Sequence, residues 1–515
     1  MPKKHRAAAV IDIGTNELKL LIAQTANSET ETGTVRYLEN LSYPLGLGRD
    51  TFQTGKMRFD KIDKACEIIK NFQHVIKGCG VRDIRTVATS AVREASNMDY
   101  ILDQVKIKTG LAVEVIDDRE EKNYIYKLLT RYASAESQQS ALMVYIGAGG
   151  IGVSLLTDGR MPFTRNIKIG SLRMGELFED LQSYTNDFYK LLEEYLAGYT
   201  FMLPEEIPGG IRHFIASGRE IGMIAELAGV DTHTPFFNIP RDGLFSLYDN
   251  IKYMNPDQIS GRFGLDSEHA DVLLPAVCIY QNLLRFTSAE CITASRVLPG
   301  DAVLYEMLYP KTFSALNRAF GKNTLLSARE LAKRYHTRDA HYNRVFEYSM
   351  VIFEKMKKIH GLGSRDKVLL QTSAILHDSG KYINNREHYR HSFEIVRGSD
   401  IVGLSHLETD MVAYICLFHS RKAPLMREPG FLALDAGDRV RVSKLSAILR
   451  LADALEISQT KKFDAIQVKV ANDALTVTVD TDADVTLENW SFNYKSQFFE
   501  EVFGMKAALK IKRSH

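Results

Sequence analysis

The chain has 515 residues, too many for a single hydrophobic core, so we expect roughly two to four domains. Its content of 45% hydrophobic and 25% charged residues is that of a soluble globular protein. A formal net charge of +1 excludes a global field that would draw the chain to nucleic acid or membrane, so any polyanion site must come from local clustering. We expect no DNA partner and no membrane partner.

The amino terminus, MPKKHRAAAVIDIG, is basic and then apolar, and a signal peptide is the alternative interpretation. Asp12 interrupts the apolar run, no small-residue cleavage site follows, and no stretch approaches the ~18 apolar residues of a membrane span. The five cysteines lack C-x-x-C spacing, which indicates a reducing compartment. We therefore predict a cytoplasmic protein.

Strand and helix patterns alternate from the start of the chain and predict an α/β domain at residues 1–135. The strands AAVIDIG and LKLLIAQ flank a turn at Gly14, and RFDKIDKACEIIKNFQHVIKGCG has apolar residues at helical spacing. A second α/β domain, at 136–310, begins with LMVYIGAGGIGVSLL.

The two domains begin alike, with an apolar run, a glycine turn and another apolar run. Gly14 aligns with Gly147, and Asp12 aligns with Tyr145. Duplication would produce this match, and so would coincidence.

The second half of the chain changes character. Long helical patterns predict an all-helical domain at 324–460, and the alternating stretches IQVKV and LTVTV then predict a hairpin in a small α+β domain at 461–515. A helical stripe in the small domain is predicted to be core rather than a cofactor site: Leu487, Trp490, Tyr494, Phe498 and Val502.

A first group of candidate functional residues follows the early strands. Asp12 lies inside an apolar strand, where an unpaired carboxylate is costly, so either a metal or a turn-capping role has to explain it. In TVATSAVREASN, Ser90 and Arg93 fall at a helix start, which is a natural anion site. Glu120 and Glu121 begin another helix, where dipole compensation is the simpler explanation.

Seven stretches occur in the order and spacing of the exopolyphosphatase/guanosine pentaphosphate phosphatase family: AVIDIGTN, VATSAVREASN, VIDDREE, GAGGIGVSLL, IKIGSLRMGEL, ASGREIGMIAEL and VLPGDAVLYEML. The chain resembles this family over essentially its whole length. The resemblance implies two ribonuclease-H-like domains, as in actin and sugar kinases, around a cleft that releases terminal phosphate from polyphosphate or a nucleotide polyphosphate. It also implies a homodimer.

The resemblance assigns roles to residues of the cleft. Glu121 corresponds to the catalytic base and Asp12 to a metal-associated carboxylate that meets the phosphates. The remaining phosphate-binding candidates are Gly14, Thr15, Asn16, Ser90, Arg93, Gly147, Gly149, Ser217 and Gly218.

The second glycine loop departs from the family pattern. Tyr145 and Gly152 stand where that family has acidic residues that help to hold magnesium. Since Mg²⁺ depends on hard oxygen ligands, the sequence predicts that the cleft holds Mg²⁺ or Mn²⁺ only weakly. Arg219, His269 and Ala276 are further departures.

The helical domain carries a second group, with histidines and aspartates on apolar helices. Several such residues in one bundle are better explained by a metal than by separately satisfied core groups. Their order resembles the HD phosphohydrolase superfamily, which implies Mn, Fe or another transition metal bound by His341, His377, Asp378, His388 or His391, His419 and Asp453.

Three hypotheses follow from the two groups. The chain is a family-typical phosphatase acting through Glu121, a metal-dependent HD-type phosphohydrolase whose amino-terminal cleft senses phosphates, or a non-catalytic phosphate-binding regulator.

Overall fold

The computed structural model describes residues 6–26, 35–178, 187–200, 210–420, 428–471 and 473–512. The chain divides into two compact units, Met1–Phe320 and Gly321–His515. In the described part of the chain, no helix combines the length and the apolarity needed to cross a bilayer.

The first unit contains two sheets. Its strands are β1 (Ala7–Ile13), β2 (Glu17–Thr25), β3 (Val35–Pro44), β4 (Ile84–Ala88), β5 (Val113–Val115), β6 (Ser140–Ile146), β7 (Ile151–Thr157), β8 (Arg160–Ile167), β9 (His213–Gly218), β10 (Phe236–Pro240) and β11 (Cys291–Ser295). The sheet orders are β3-β2-β1-β4-β5 and β10-β11-β9-β6-β7-β8.

Both sheets share one topology. In the first sheet, β1, β2 and β3 are antiparallel neighbours, and β1 also pairs in parallel with β4. In the second sheet, β6, β7 and β8 are antiparallel neighbours, and β6 also pairs in parallel with β9. A further parallel strand, β5 or β11, follows. The repeated order favours duplication over coincidence, and it places the turn after β1 and the turn after β6 at equivalent positions.

The helices of the first unit cover the sheets. They are α1 (Leu47–Thr54), α2 (Phe59–Gly78), α3 (Ser90–Arg93), α4 (Met98–Thr109), α5 (Asp118–Tyr132), α6 (Ser171–Leu177), α7 (Phe188–Thr200), α8 (Ile221–Leu227), α9 (Arg241–Ile251), α10 (Pro256–Phe263), α11 (Ser267–Leu284) and α12 (Pro299–Leu308). Alternate residues of β1 face separate cores, since Ile11 belongs to one buried cluster and Val10 to another. Helix α13 (Pro310–Arg334) contains both predicted boundaries, 310 and 324.

The second unit is a helical bundle with a small sheet. Its helices are α14 (Asp339–Lys355), α15 (Lys357–His360), α16 (Ser364–Leu376), α17 (His388–Arg397), α18 (His406–Phe418), α19 (Pro429–Leu432), α20 (Ala436–Ala454) and α21 (Thr486–Phe503), with a 3₁₀ turn at Ser379–Tyr382. Strands β12 (Ile466–Ala471), β13 (Ala474–Asp480) and β14 (Lys506–Lys512) form the sheet. One hydrophobic cluster includes residues of both parts, so bundle and sheet share a core.

The orientation of α21 contradicts the predicted stripe. Leu487 is 45% exposed and Trp490 is 50% exposed, whereas the buried positions of the helix include Glu488 and Lys495. The inward face also carries the fully buried Phe492 and Phe499, and ion pairs accommodate its charged residues, because Glu488 pairs with Lys462 and Lys495 pairs with a carboxylate of the bundle. The prediction that this stripe is core was therefore wrong for Leu487, Trp490 and Tyr494, whereas Phe498 and Val502 are partly buried and pack against the core.

Candidate functional site

The predicted metal ligands of the second unit come together at helix ends. His341 lies in the first turn of α14, and His377 ends α16 with Asp378 directly after it. His388 begins α17, His419 ends α18, and Asp453 lies in the last turn of α20. The side chains of these residues are buried except that of His388, which is 20% exposed.

Asp378 lies at the centre of this cluster, and its two oxygens face different partners. Oδ2 is 3.2 Å from His341 Nε2 and 3.8 Å from His377 Nε2. Oδ1 is 3.4 Å from His388 Nε2 and 3.7 Å from His419 Nε2. Two groups able to hold a cation therefore share this one carboxylate. We call the whole cluster the metal centre.

The first group is completed by Asp453. Its Oδ1 lies 3.6 Å from His341 Nε2 and also 3.6 Å from His377 Nε2, and those two imidazole nitrogens are 3.3 Å apart. In the second group, the Nε2 atoms of His388 and His419 are 3.2 Å apart. Nitrogen atoms at such separations repel one another unless a proton or a cation lies between them.

Backbone carbonyls set the orientation of three imidazoles. The Nδ1 atoms of His377, His388 and His419 lie 2.9, 3.1 and 2.5 Å from the carbonyl oxygens of the residues three positions earlier. A proton on each Nδ1 leaves the Nε2 lone pair directed at the centre, as in most metal-binding histidines. This donor set of imidazole and carboxylate fits divalent transition metals.

A glycine and a serine bring α17 to the centre. A Cβ atom at Gly380 would lie 2.1 Å from the carbonyl oxygen of His388, so only glycine permits this approach. Gly380 N–H donates to Ser392 Oγ at 2.9 Å, and that hydroxyl donates to the His377 carbonyl oxygen at 2.6 Å. The same packing places His388 in a group that could hold a cation and leaves His391 outside both groups.

Lysines neutralise the carboxylates of the centre. Asp378 pairs with Lys381, and Asp453 pairs with the buried Lys495. Burial opposes ionisation of Asp453, yet the Lys495 ammonium group holds the pKa of that carboxyl well below its usual range. Burial also disfavours a charged imidazole at His341, but hydrogen bonds to the two aspartates outweigh it and raise its pKa to about 9.

The first unit contains the predicted phosphate cleft. A cavity of about 70 Å³ lies between the turn after β1 and the turn after β6. Of the predicted residues, it is lined by Asp12, Gly14, Thr15, Asn16, Ser90, Glu121 and Gly147. Arg219, which the sequence shows only as a departure from the family pattern, also lines it and forms an ion pair with Glu268 at 3.4 Å.

Four predicted phosphate contacts do not line this cavity. Arg93 instead donates to the Ile116 carbonyl oxygen at 2.7 Å and pairs with Glu121 at 3.3 Å. Ser217 donates to the Val297 carbonyl oxygen, Gly218 lies beside Ile146 where β9 pairs with β6, and Gly149 packs against Ser90.

Glu121 has a donor at each carboxylate oxygen. Tyr145 Oη donates to Oε1 at 2.9 Å, and Arg93 Nη1 donates to Oε2 at 3.3 Å. Tyr145 stands at a position where the family that the chain resembles is expected to have a carboxylate. A phenol here donates to the predicted base instead of offering an anionic oxygen to a cation.

Gly152 is the second position where the resemblance implies a carboxylate, and side chains of α5 occupy the space beside it. A Cβ atom at Gly152 would lie 2.5 Å from Tyr126 Oη and 2.8 Å from Lys122 Cδ. Lys122 is 2% exposed and its ammonium group pairs with Asp118 at 2.5 Å. A buried lysine thus occupies the space beside this loop, and no acidic side chain at 152 would fit without displacing it.

Asp12 is buried, and its Oδ1 has no hydrogen-bond partner among the residues that the structure describes. Burial, with smaller contributions from nearby carboxylates, raises its pKa from 3.8 to about 7 although Lys19 opposes the shift. The folded protein therefore holds this proton more tightly than the unfolded chain, so the free energy of unfolding falls as pH rises from about 4 to about 7.

We expect Asp12→Asn to stabilise the protein above pH 7 by roughly 1–3 kcal/mol and to have a much smaller effect at pH 4.5. Thermal unfolding in the presence of a chelator measures this difference, with the exposed Asp103→Asn as the matched control. An equal effect of Asp12→Asn at both pH values would contradict the assignment.

Comparison with known proteins relates both units to one family. Residues 28–310 match the Ppx/GppA phosphatase family, and residues 325–496 match Ppx/GppA phosphatase, domain III. The chain is 20% identical over 482 residues to the guanosine-5'-triphosphate,3'-diphosphate pyrophosphatase of Vibrio campbellii, covering 92% of this chain and 91% of that protein. It is 23% identical to the enzyme of the same name from Pseudoalteromonas translucida, covering 92% and 94%.

A solved structure extends the comparison to the fold. An exopolyphosphatase-like protein is 19% identical, has a TM-score of 0.51, and covers 59% of this chain and 98% of its own. The likeness shows that the two proteins share a fold over that part of the chain.

Proposed function

The chain belongs to the Ppx/GppA phosphatase family, and we propose that its hydrolytic site is the metal centre of the second unit. The family assignment predicted from the seven stretches is thereby confirmed, and with it a phosphohydrolase. The proposed reaction is release of phosphate from polyphosphate or a nucleotide polyphosphate. The observation that carries the location is the shared carboxylate of Asp378, whose two oxygens face two sets of imidazoles.

The chemistry of the centre suits phosphate hydrolysis. Divalent cations such as Mn²⁺ or Fe²⁺ would supply Lewis-acid stabilisation of the charge that develops on the phosphate oxygens. His341, His377, Asp378 and Asp453 would hold one cation, and Asp378 with His388 and His419 would hold the other. Lys381, which lines the same cavity, would attract a phosphate.

We propose that the amino-terminal cleft binds phosphates without being the main hydrolytic site. Thr15 and Ser90 hydroxyls, 2.8 Å apart, and the amides of the two glycine turns would meet a phosphate oxygen. Asp12 would hold Mg²⁺ or Mn²⁺ only weakly, since Tyr145 and Gly152 contribute no carboxylate. A phosphate or nucleotide bound there would act as a regulatory ligand.

A second candidate is hydrolysis in the cleft itself, with Glu121 as the base. It is favoured by the position of Glu121, which lines the same cavity as Asp12 and Ser90. The two candidates make opposite predictions for one substitution.

We expect Glu121→Gln to retain phosphate release within about threefold, because the proposed reaction does not involve this carboxylate. Phosphate release is measured from polyphosphate and from nucleoside triphosphates with Mg²⁺ and with Mn²⁺. Glu120→Gln, one position earlier on α5, is the matched control. A hundredfold loss in Glu121→Gln alone would place hydrolysis in the cleft, and no release from any variant would make the chain a binding protein.

The remaining expectations stay predictions. They are a cytoplasmic location, a homodimer and the absence of a DNA partner.

A further inference from the structure

Helix α21 presents two aromatic side chains to the cavity of the metal centre. This cavity has a volume of about 260 Å³, and its lining includes Trp490 and Tyr494 together with His341, Asp378 and Lys381. Trp490 is 50% exposed and Tyr494 is 36% exposed. Their rings are stacked, with centroids 6.2 Å apart and planes 20° from parallel.

The position of these rings is fixed by the centre itself. Lys495, next to Tyr494, is buried and pairs with Asp453. This ion pair orients α21 so that Trp490 and Tyr494 line the cavity together with Lys495. Trp490 and Tyr494 therefore stand at a defined place beside the carboxylates.

A half-exposed indole beside a phosphate-hydrolysing centre discriminates between two classes of substrate. Inorganic polyphosphate offers only charged oxygens, which gain nothing from an aromatic face. A nucleotide offers phosphates and also a planar base, and every base has a π face that stacks on tryptophan. The cavity combines both kinds of complementary surface, a cationic group at Lys381 and an aromatic face at Trp490.

We infer that the base of a nucleoside polyphosphate stacks on Trp490, so that the metal centre acts on nucleotides in preference to inorganic polyphosphate. This inference rests on the proposed function of the centre and specifies its substrate class. Tyr494 supports the indole from the adjacent turn of the helix.

The chain contains a single tryptophan, so its fluorescence reports on this site alone. The probes are the β,γ-methylene analogues of ATP and GTP, with tripolyphosphate as the probe that lacks a base. We expect saturable quenching of Trp490 fluorescence by both nucleotide analogues in the presence of Mn²⁺ and little change with tripolyphosphate. Equal responses to the nucleotide analogues and tripolyphosphate would overturn the inference.

Calorimetry on variants gives an independent measure. Loss of one base-stacking interaction corresponds to a roughly 5- to 150-fold decrease in affinity, so Trp490→Ala should weaken nucleotide binding at the metal centre by that amount. It should leave nucleotide binding at the amino-terminal cleft and tripolyphosphate binding unchanged. Trp490→Phe should retain nucleotide affinity within about threefold, because the ring still stacks. Leu487→Ala, on the same helix and also exposed, is the control.

The outcomes separate this inference from the proposed function. If Trp490→Ala weakens both kinds of ligand equally, or neither, the stacking role is wrong. The methylene analogues bind without being hydrolysed, so these measurements test the stacking role of Trp490 independently of phosphate release. Their result does not depend on whether substitution of Asp378 removes that release. Persistent phosphate release without Asp378 would instead refute the hydrolytic role of the centre.

Discussion

Asp378→Asn is expected to abolish metal-dependent phosphate release and to remove bound metal from both positions. One oxygen of Asp378 faces His341 and His377, and the other faces His388 and His419, so a single substitution affects both groups. Loss of an outer-shell partner alone costs roughly 10–100-fold in metal affinity or activity, and loss of a shared ligand should exceed this. The amide keeps the size of the side chain but not its charge.

Elemental analysis of protein dialysed against Mn²⁺ and assays of phosphate release test this expectation. His391→Ala is the matched control, because His391 lies one turn along α17 from His388 but outside both groups. Circular dichroism checks that Asp378→Asn is folded. Two equivalents of metal on a folded Asp378→Asn protein would rule out the shared carboxylate.

Lys495→Met is expected to lower the free energy of unfolding of the metal-free protein by about 3–5 kcal/mol, the usual cost of leaving one partner of a buried ion pair without the other. Both side chains of the Lys495–Asp453 pair are less than a tenth exposed. A cation bound at Asp453 would replace the lost ammonium group. Saturating Mn²⁺ should therefore remove most of this deficit.

Urea unfolding of both proteins, with Mn²⁺ and with a chelator, measures the effect. Lys367→Met is the control, since its ion pair with Glu354 is exposed and should contribute less than about 1 kcal/mol under either condition. A deficit in Lys495→Met that is the same with and without Mn²⁺ would mean that Asp453 is not a ligand.

Much of this protein was predictable from local patterns. Strand and helix alternation predicted the α/β part, whereas the similarity around Gly14 and Gly147 left duplication and coincidence open until the repeated sheet order favoured duplication. The candidate functional residues could be named from the sequence because they were identified by residue type and spacing. This holds for Glu121, which the resemblance assigned, and for the ordered histidines and aspartates.

The sequence by itself determined which chemical groups are present, including the absence of carboxylates at 145 and 152, because residue identity is local information. Only the tertiary structure distinguishes His388 from His391, since both lie on one helix and the contact of that helix with Gly380 brings His388, and not His391, into a group that could hold a cation. It likewise decided that Lys495 is buried and Trp490 is half exposed. Hydrophobic periodicity predicts which face of a helix turns inward on apolar grounds alone. Here the inward face carries Phe492 and Phe499 together with Lys495, whose ion pair with a residue 42 positions away is not visible in the periodicity.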